Sequence, residues 1–556
     1  MCPNLYDIFA ENVYVDRGFV LCYVRLAKVF VLAFAGPFQI EIKGISNMFC
    51  RVFCADICGI EAKPVCVEAD VSCGLPGFYM VGLPSSEVKE AKERVQRAIY
   101  NSGIDLPPRK ITINLSPANM RKSGSGFDLP IAMAILGAYG YVSERDLDRV
   151  MIAGELSLDG KINPIKGVLP IAITAAKEGM KRLLIPQGNL SEGAVVKGLD
   201  VFCAPDLRSL LFMLEYGQIK YAKQVDLEPL LEKSLDELPV DFSEVKGQEV
   251  AKRATLVAVA GFHHLLYVGP PGSGKSMMAR RIPTILNKLT PEECMELSQI
   301  YSVAGLLADQ PLLTRRPFRA PHHTITIPAL VGGYGIPKPG EISLAHKGVL
   351  FLDEAAEFKR ETIETLRIPL ETKQMVLDRL SMQAVFPADF MFVMAMNPCR
   401  CGYYPDRKHC HCSEADIQRY FGKIKGPIMD RIDVCVGTRK LNVKELRPDI
   451  RTDSSAEMRE KIVQAQEIQA KRFQKEDILF NSQMGQKEIE TYCQLDPESE
   501  KVLDQAYEKY NMSARGYMKV LKVARTIADL AGAERIKTEH VMEALSYRNA
   551  FVEGEL

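Results

Sequence analysis

The stretch LLYVGPPGSGKS, residues 265–276, joins a short apolar run to a glycine-rich turn and then to Lys275-Ser276. Leu265 to Val268 reads as a buried strand, the glycines free the backbone to curl, and the residues from Lys275 onward open a helix. Gly269, Pro270, Pro271, Gly272, Ser273, Gly274, Lys275 and Ser276 fit the pattern G-x-x-x-x-G-K-[ST] in full. Backbone N–H groups of such a loop cradle phosphate at a helix N-terminus, Lys275 brings a point charge to the outer phosphates, and Ser276 offers a hydroxyl to Mg2+. The expected occupants are ATP and Mg2+, on an α/β sheet of parallel strands.

Working outward, GVLFLDE (348–354) is an apolar strand that ends in two carboxylates. Asp353 is expected in the Mg2+ shell and Glu354 beside the attacking water, because phosphoryl transfer needs charge neutralisation and an aligned nucleophile more than covalent help. FMFVMAMN (390–397) is a third buried run; its terminal Asn397 would sit beside the γ-phosphate and help place the attacking water, the other reading being a turn former.

Lys275 and Asp353 are 78 residues apart, far more than one βαβ unit requires. Within the intervening segment, residues 315–347 carry Arg315, Arg316, Arg319, Lys338 and Lys347 against the single Glu341, with His322-His323 and many Gly and Pro residues. It reads either as a basic loop that tracks a phosphate backbone or as a solvated face. The two histidines read as structural or phosphate-contacting, since no acidic or cysteine ligand stands near them in sequence. Residues 374–388 alternate like a hairpin ahead of the sensor strand. Directly after it, CRCGYYPDRKHCHC holds Cys399, Cys401, Cys410 and Cys412. Four thiols on one loop match the donor set of a tetrahedral Zn2+ site, although C-x-C is tighter than the usual spacing; the other reading is four reduced cysteines in a loop.

The chain has 556 residues, 47% of them hydrophobic and 25% charged, the balance of soluble globular domains. Seventy basic residues match seventy acidic ones, so net charge selects no partner. Fifteen unevenly spaced cysteines argue for a reducing, cytoplasmic setting rather than a disulfide framework. Residues 18–38 are the one candidate membrane segment, but Arg25 and Lys28 interrupt it, and each charge near a bilayer centre costs about 2.5–3.5 kcal/mol. No membrane association is expected.

Patterning divides the chain into five segments. Residues 1–47 read as a leader or misassigned N-terminal extension. An α/β domain follows over 48–214, with strands at 65–72, 110–116, 151–162 and 182–186 and helices at 85–103, 128–140 and 167–179. Polar residues 215–240 read as a linker, 241–442 as the nucleotide-binding core, and 443–556, purely helical in period, as a lid.

The three strands resemble the core of an AAA+ ATPase, in which Asn397 is the first sensor. That resemblance implies Arg431, in GPIMDRID, as an arginine finger serving a neighbouring subunit and Arg515, in SARGYMKVLKVAR, as a second sensor. A finger of this kind implies a homo-oligomer, usually a hexameric ring. The basic loop and hairpin resemble the helix-2 insert and pre-sensor hairpin of magnesium chelatase subunits and replicative helicases, which point into the pore. Residues 153–186 and 120–136 resemble the Lon protease domain. Following that pattern, Gly126 or Phe127 stands at the nucleophile position, Ser125 is adjacent, and Leu169 stands where the lysine base belongs, which implies a nonproteolytic relative. The full order, together with GLPGFYMVGLP, FRAPHHT and GEISLAHKGVLFLDE, resembles the YifB/ComM family from Met48 onward. Its best-understood members imply a ring-shaped motor that moves single-stranded or branched DNA. The alternatives are an ATPase that remodels a protein partner and, disfavoured by the missing base, a peptidase.

Overall fold

The computed structural model describes residues 48–233, 239–307, 310–333, 337–379, 382–424, 428–442, 445 and 451–549. Residues 1–47, with the expected leader and the whole of the candidate membrane stretch 18–38, lie outside these. Among the described residues no helix is long and apolar enough to cross a membrane.

Two sheets organise the molecule. The first takes β1 (Phe49–Cys58), β2 (Glu61–Ser72), β3 (Gly77–Val81), β4 (Lys110–Ser116), β5 (Val150–Ile152), β8 (Arg182–Leu184) and β9 (Asp200–Phe202) in the order β3-β4-β2-β1-β5-β8-β9. Its β1–β2 and β2–β4 pairings are antiparallel and the others parallel. Alternation in β2 buries Val65, Val67, Ala69 and Val71 against the helices Ser86–Asn101 and Asp128–Ala138. The first helix is amphipathic, with Val88, Ala91, Val95, Ala98 and Ile99 buried and Ser85 accepting the Val88 N–H as its cap. The second is buried almost all round, as its uniform apolarity demands. The run at 151–162, expected as one strand, is β5 followed by a small hairpin of β6 (Glu155–Leu156) and β7 (Ile162–Asn163), because Gly160 turns the chain.

The second sheet contains β10 (Leu265–Val268), β11 (Phe318–Arg319), β12 (Val349–Leu352), β15 (Met391–Met396) and β16 (Val434–Gly437), ordered β11-β12-β15-β10-β16 and parallel throughout. In β10, β12 and β15 every residue is buried, as parallel strands covered on both faces require. The β13–β14 hairpin (Gln374–Arg379 and Met382–Pro387) occupies the expected span. Helices Ser455–Arg472, Pro497–Lys509, Ala514–Leu530 and Thr538–Asn549 form the C-terminal region.

The two α/β units are docked together. Leu169, Val195 and Leu231 join Leu297, Ile300 and Tyr301 of the helix Pro291–Ala304 in one apolar cluster. Ser302 hydrogen-bonds Glu192, whose carboxylate also accepts the Leu169 N–H at 2.9 Å. Burial pushes the Glu192 carboxyl up, while these donors hold it back. The β1–β2 turn meets the β13–β14 hairpin, where a side chain on Gly59 would reach within 3.2 Å of the Val385 carbonyl. Residues 215–240 differ from a free linker where they are described. Ala222 donates to Val201, Val225 donates to Ala194, and Leu231 is buried at the junction.

Candidate nucleotide site

Four strand ends converge on the glycine-rich loop. Gly269 leaves β10 so close to Thr438 that an added Cβ would lie 2.1 Å from the Thr438 hydroxyl, so only glycine fits there. Ser273 then hydrogen-bonds the same hydroxyl at 2.7 Å. Gln248, buried and at φ +57°, donates to the carbonyls of Ser273 at 2.9 Å and Arg439 at 2.6 Å, tying the loop to the end of β16. Sequence reading missed Gln248 and Thr438, because only the three-dimensional path brings them to the loop.

Lys275 opens the helix Lys275–Ile285 and turns back over the loop. Its ammonium donates to the carbonyls of Gly269 at 2.7 Å and Pro270 at 2.9 Å, and to Asn397 Oδ1 at 3.1 Å. Burial pulls its pKa down to about 8, partly offset by Asp353 and Glu354. Lys275, Asn397 and the two carboxylates therefore share one electrostatic site at the C-terminal ends of β10, β15 and β12, where ligands of open α/β sheets bind.

Asp353 accepts the Glu354 N–H at 3.0 Å. Glu354 itself sits in the left-handed region at φ +50°, ψ +46°, uncommon for a side-chain-bearing residue, and its carboxylate is exposed. His323 stands 4.0 Å from that carboxylate, its ring tilted against that of His322 with 4.1 Å between ring centres. The expectation of no acidic group near the histidines is corrected here: the chain returns 31 residues later to place Glu354 beside them. Ser276 follows Lys275 in the first helical turn, partly exposed.

The two remaining arginines lie on the lid side of the sheet. Arg431 is buried and paired with Glu371, which precedes the β13–β14 hairpin. Arg515 is exposed in the first turn of the helix Ala514–Leu530. A buried ion pair joins their surroundings: Asp433, two residues after Arg431, binds Lys519, four residues after Arg515, at 2.7 Å. Burial opposes ionisation of Asp433, yet Lys519 and His263 hold its carboxyl well below the usual range.

The basic insertion is not a uniform cationic face. Arg316 is bound by Glu293 at 2.7 Å and by the carbonyls of Asn287 and Lys347. Arg319 makes a two-bonded pair with Glu341, each bond 2.6 Å. Lys338 is exposed.

Cys399, Cys401, Cys410 and Cys412 converge, with all four sulfur atoms within 4.8 Å of one another. Individual Sγ separations are 3.3, 3.5 and 3.7 Å. A tetrahedral site with Zn–S bonds of about 2.3 Å has S···S edges of about 3.8 Å, so the donor set and its spacing fit Zn2+.

The chain resembles known proteins along most of its length. The magnesium chelatase subunit ChlI family matches residues 241–446, its ChlI relative 67–189, and its C-terminal family 452–548. Competence protein ComM of Haemophilus influenzae is 40% identical over 88% of this chain and 95% of its own length. YifB of Escherichia coli is 39% identical over the same shares. The chain belongs to the YifB/ComM family of magnesium-chelatase-like AAA+ ATPases. This family member is also 30% identical over 172 residues, 30% of its length and 31% of the relative's, to Lon protease 2 of Bacillus subtilis. The Lon-like domain, AAA+ core and helical C-terminal region are thus the three parts of the fold. Leu169 of the Lon-like domain is fully buried against the AAA+ core.

Proposed function

We propose that this AAA+ ATPase is a Mg2+-dependent motor that assembles as a ring, usually of six subunits, and moves single-stranded or branched DNA. The observation that carries the ATPase chemistry is the Lys275–Asn397 hydrogen bond beside Asp353 and Glu354. In this reading the loop from Gly269 to Ser276 holds the phosphates. Ser276 and Asp353 would hold Mg2+, which supplies charge neutralisation on the phosphate oxygens. Glu354 orients and deprotonates the attacking water, His323 limits where its carboxylate points, and Asn397 reports the γ-phosphate to Lys275. Arg431 leaves Glu371 to reach a neighbour's nucleotide, and Arg515 completes the site from the lid. The cysteine cluster holds a structural Zn2+. The domain is not a protease, since the position of the base is taken by Leu169.

The DNA partner is supported by the name of the competence-protein relative and by the hairpin beside the nucleotide strands. The ion pairs that engage Arg316 and Arg319 move the expected DNA contacts to Lys338 and the hairpin. The second reading, remodelling of a protein partner, is favoured by the hairpin's exposed apolar residues Val376 and Val385. A labelled four-way junction incubated with the protein and ATP separates the two. ATP-dependent branch migration, absent with Glu354→Gln, is the expected result; an intact junction under conditions where ATP is hydrolysed and the ring assembles favours the protein partner.

A further inference from the structure

We infer that the four-cysteine loop is a wall of the nucleotide site, and that a thiophilic divalent cation held by Cys399, Cys401, Cys410 and Cys412 sets the affinity for ATP. This rests on the Zn2+ reading above and assigns the metal a task beyond ordering its own loop.

The loop leaves the sensor strand immediately: Asn397, bonded to Lys275 at 3.1 Å, is two residues before the ligand Cys399. It then folds back onto the phosphate loop. Gly402 lies one residue beyond Cys401, at φ +87°, and an added Cβ would stand 2.6 Å from Pro271 Cδ and 3.8 Å from Asn397 Cγ. Gly402 thus touches both the phosphate loop and the sensor, and its N–H is bound by the Cys399 carbonyl at 3.0 Å. The segment from Cys399 to Gly402 is a clamp with one jaw on Asn397 and the other on Pro271.

What closes the clamp is the sulfur cluster. Buried Cys399 and Cys410 have only Ile417 as a fully buried apolar companion, with Tyr404 and Phe421 at the edge. So small an apolar core cannot fix a loop of this length alone, and small units of this kind are ordinarily held by a metal. Tyr403, Arg407, Lys408 and His409 are all exposed, leaving the sulfur atoms as the loop's centre. Binding of the cation displaces the thiol protons to solvent and replaces the weak S–H contacts of the cluster with four metal–sulfur bonds. The free cluster would relax, and Gly402 and Asn397 would move with Cys399 and Cys401. Sub-ångström misplacement of groups around a phosphate is enough to change binding strongly.

The test uses the full chain. Metal content per chain is measured, the metal is exchanged for Co2+ to read thiolate-to-cobalt absorption, and ATP affinity is titrated with a fluorescent ATP analogue. The expected result is one Zn2+ per chain, a cobalt–thiolate band, and ATP binding weakened about tenfold or more by chelation or by Cys410→Ser/Cys412→Ser. Gly402→Ala is expected to keep the cobalt band and lose affinity, because it displaces Pro271 without touching a ligand. The cobalt band shows that the variant's loop is folded, and the chelated wild-type protein gives the answer should that variant not fold. Metal-free protein that binds the analogue as tightly as metal-loaded protein overturns the coupling while leaving the zinc site standing. Protein with neither zinc nor a cobalt band overturns the metal reading and the coupling with it.

Discussion

Lys275 of the AAA+ core and Leu169 of the Lon-like domain each lie buried in the first turn of a helix, and their surroundings could hardly differ more. In the AAA+ core, Lys275 is buried but faces Asn397, Asp353 and Glu354, which give its charge partners. In the Lon-like domain, Leu169 is fully buried among Leu297, Ile300 and Tyr301 of the core it packs on. A buried first-turn position faces charged partners in one setting and serves docking in the other. The difference lies in what surrounds each residue: polar strand ends in the first case, an apolar interface in the second.

Four experiments sharpen or break this contrast. The largest effect is expected from Glu354→Gln, which keeps the shape of the site but removes the carboxylate. Turnover should fall by at least about a hundredfold, with binding of an ATP analogue retained. Near-normal turnover would remove Glu354 from the chemistry.

Next is Leu169→Ala, which empties part of the domain junction. Unfolding should be easier by about 2–5 kcal/mol, read as a lower midpoint in thermal or denaturant melts. An unchanged midpoint would mean the leucine is not a docking residue.

A smaller effect follows from pH. The pKa of Lys275, at about 8 against an ordinary 10.5, means its ammonium is lost from the unliganded site as pH rises through about 8. Bound phosphate favours the charged form, so ATP affinity should be full below pH 8 and fall above it, by up to about tenfold per unit. Lys275→Arg, whose guanidinium stays charged, should bind ATP without that dependence, and a persisting pH profile would assign it elsewhere.

The smallest effect is expected from Ser125→Ala. Neither ATP turnover nor casein cleavage should change, whereas a peptidase activity lost in this variant would restore the Lon-like domain as an enzyme.

Much of the nucleotide site was legible in the sequence because each strand is a continuous apolar run ending in its chemical residue: Val268 before the loop, Leu352 before Asp353, Met396 before Asn397. The hairpin and the long lid helices were legible from period alone. Edge strand β3 was not, because Tyr79 and Val81 are exposed and its pattern follows no buried face. Nor were contacts that depend on the path of the chain. Gln248 reaches Arg439 across 191 residues, and His323 meets Glu354 only after the chain has crossed the sheet. The charge count over 315–347 misjudged Arg316, because its partner Glu293 lies outside that window. Spacing suggested the cysteine cluster, but its contact with Pro271 through Gly402 appears only in the fold.

The central claim, that this site drives work on DNA, is tested most directly by the steady-state ATPase rate of the full chain with and without four-way-junction DNA. The account predicts a rate raised several-fold or more by the junction, with single-stranded DNA ranked beside it, and no stimulated turnover in Glu354→Gln. The same rate with and without either DNA, under conditions where the subunits assemble, would contradict it.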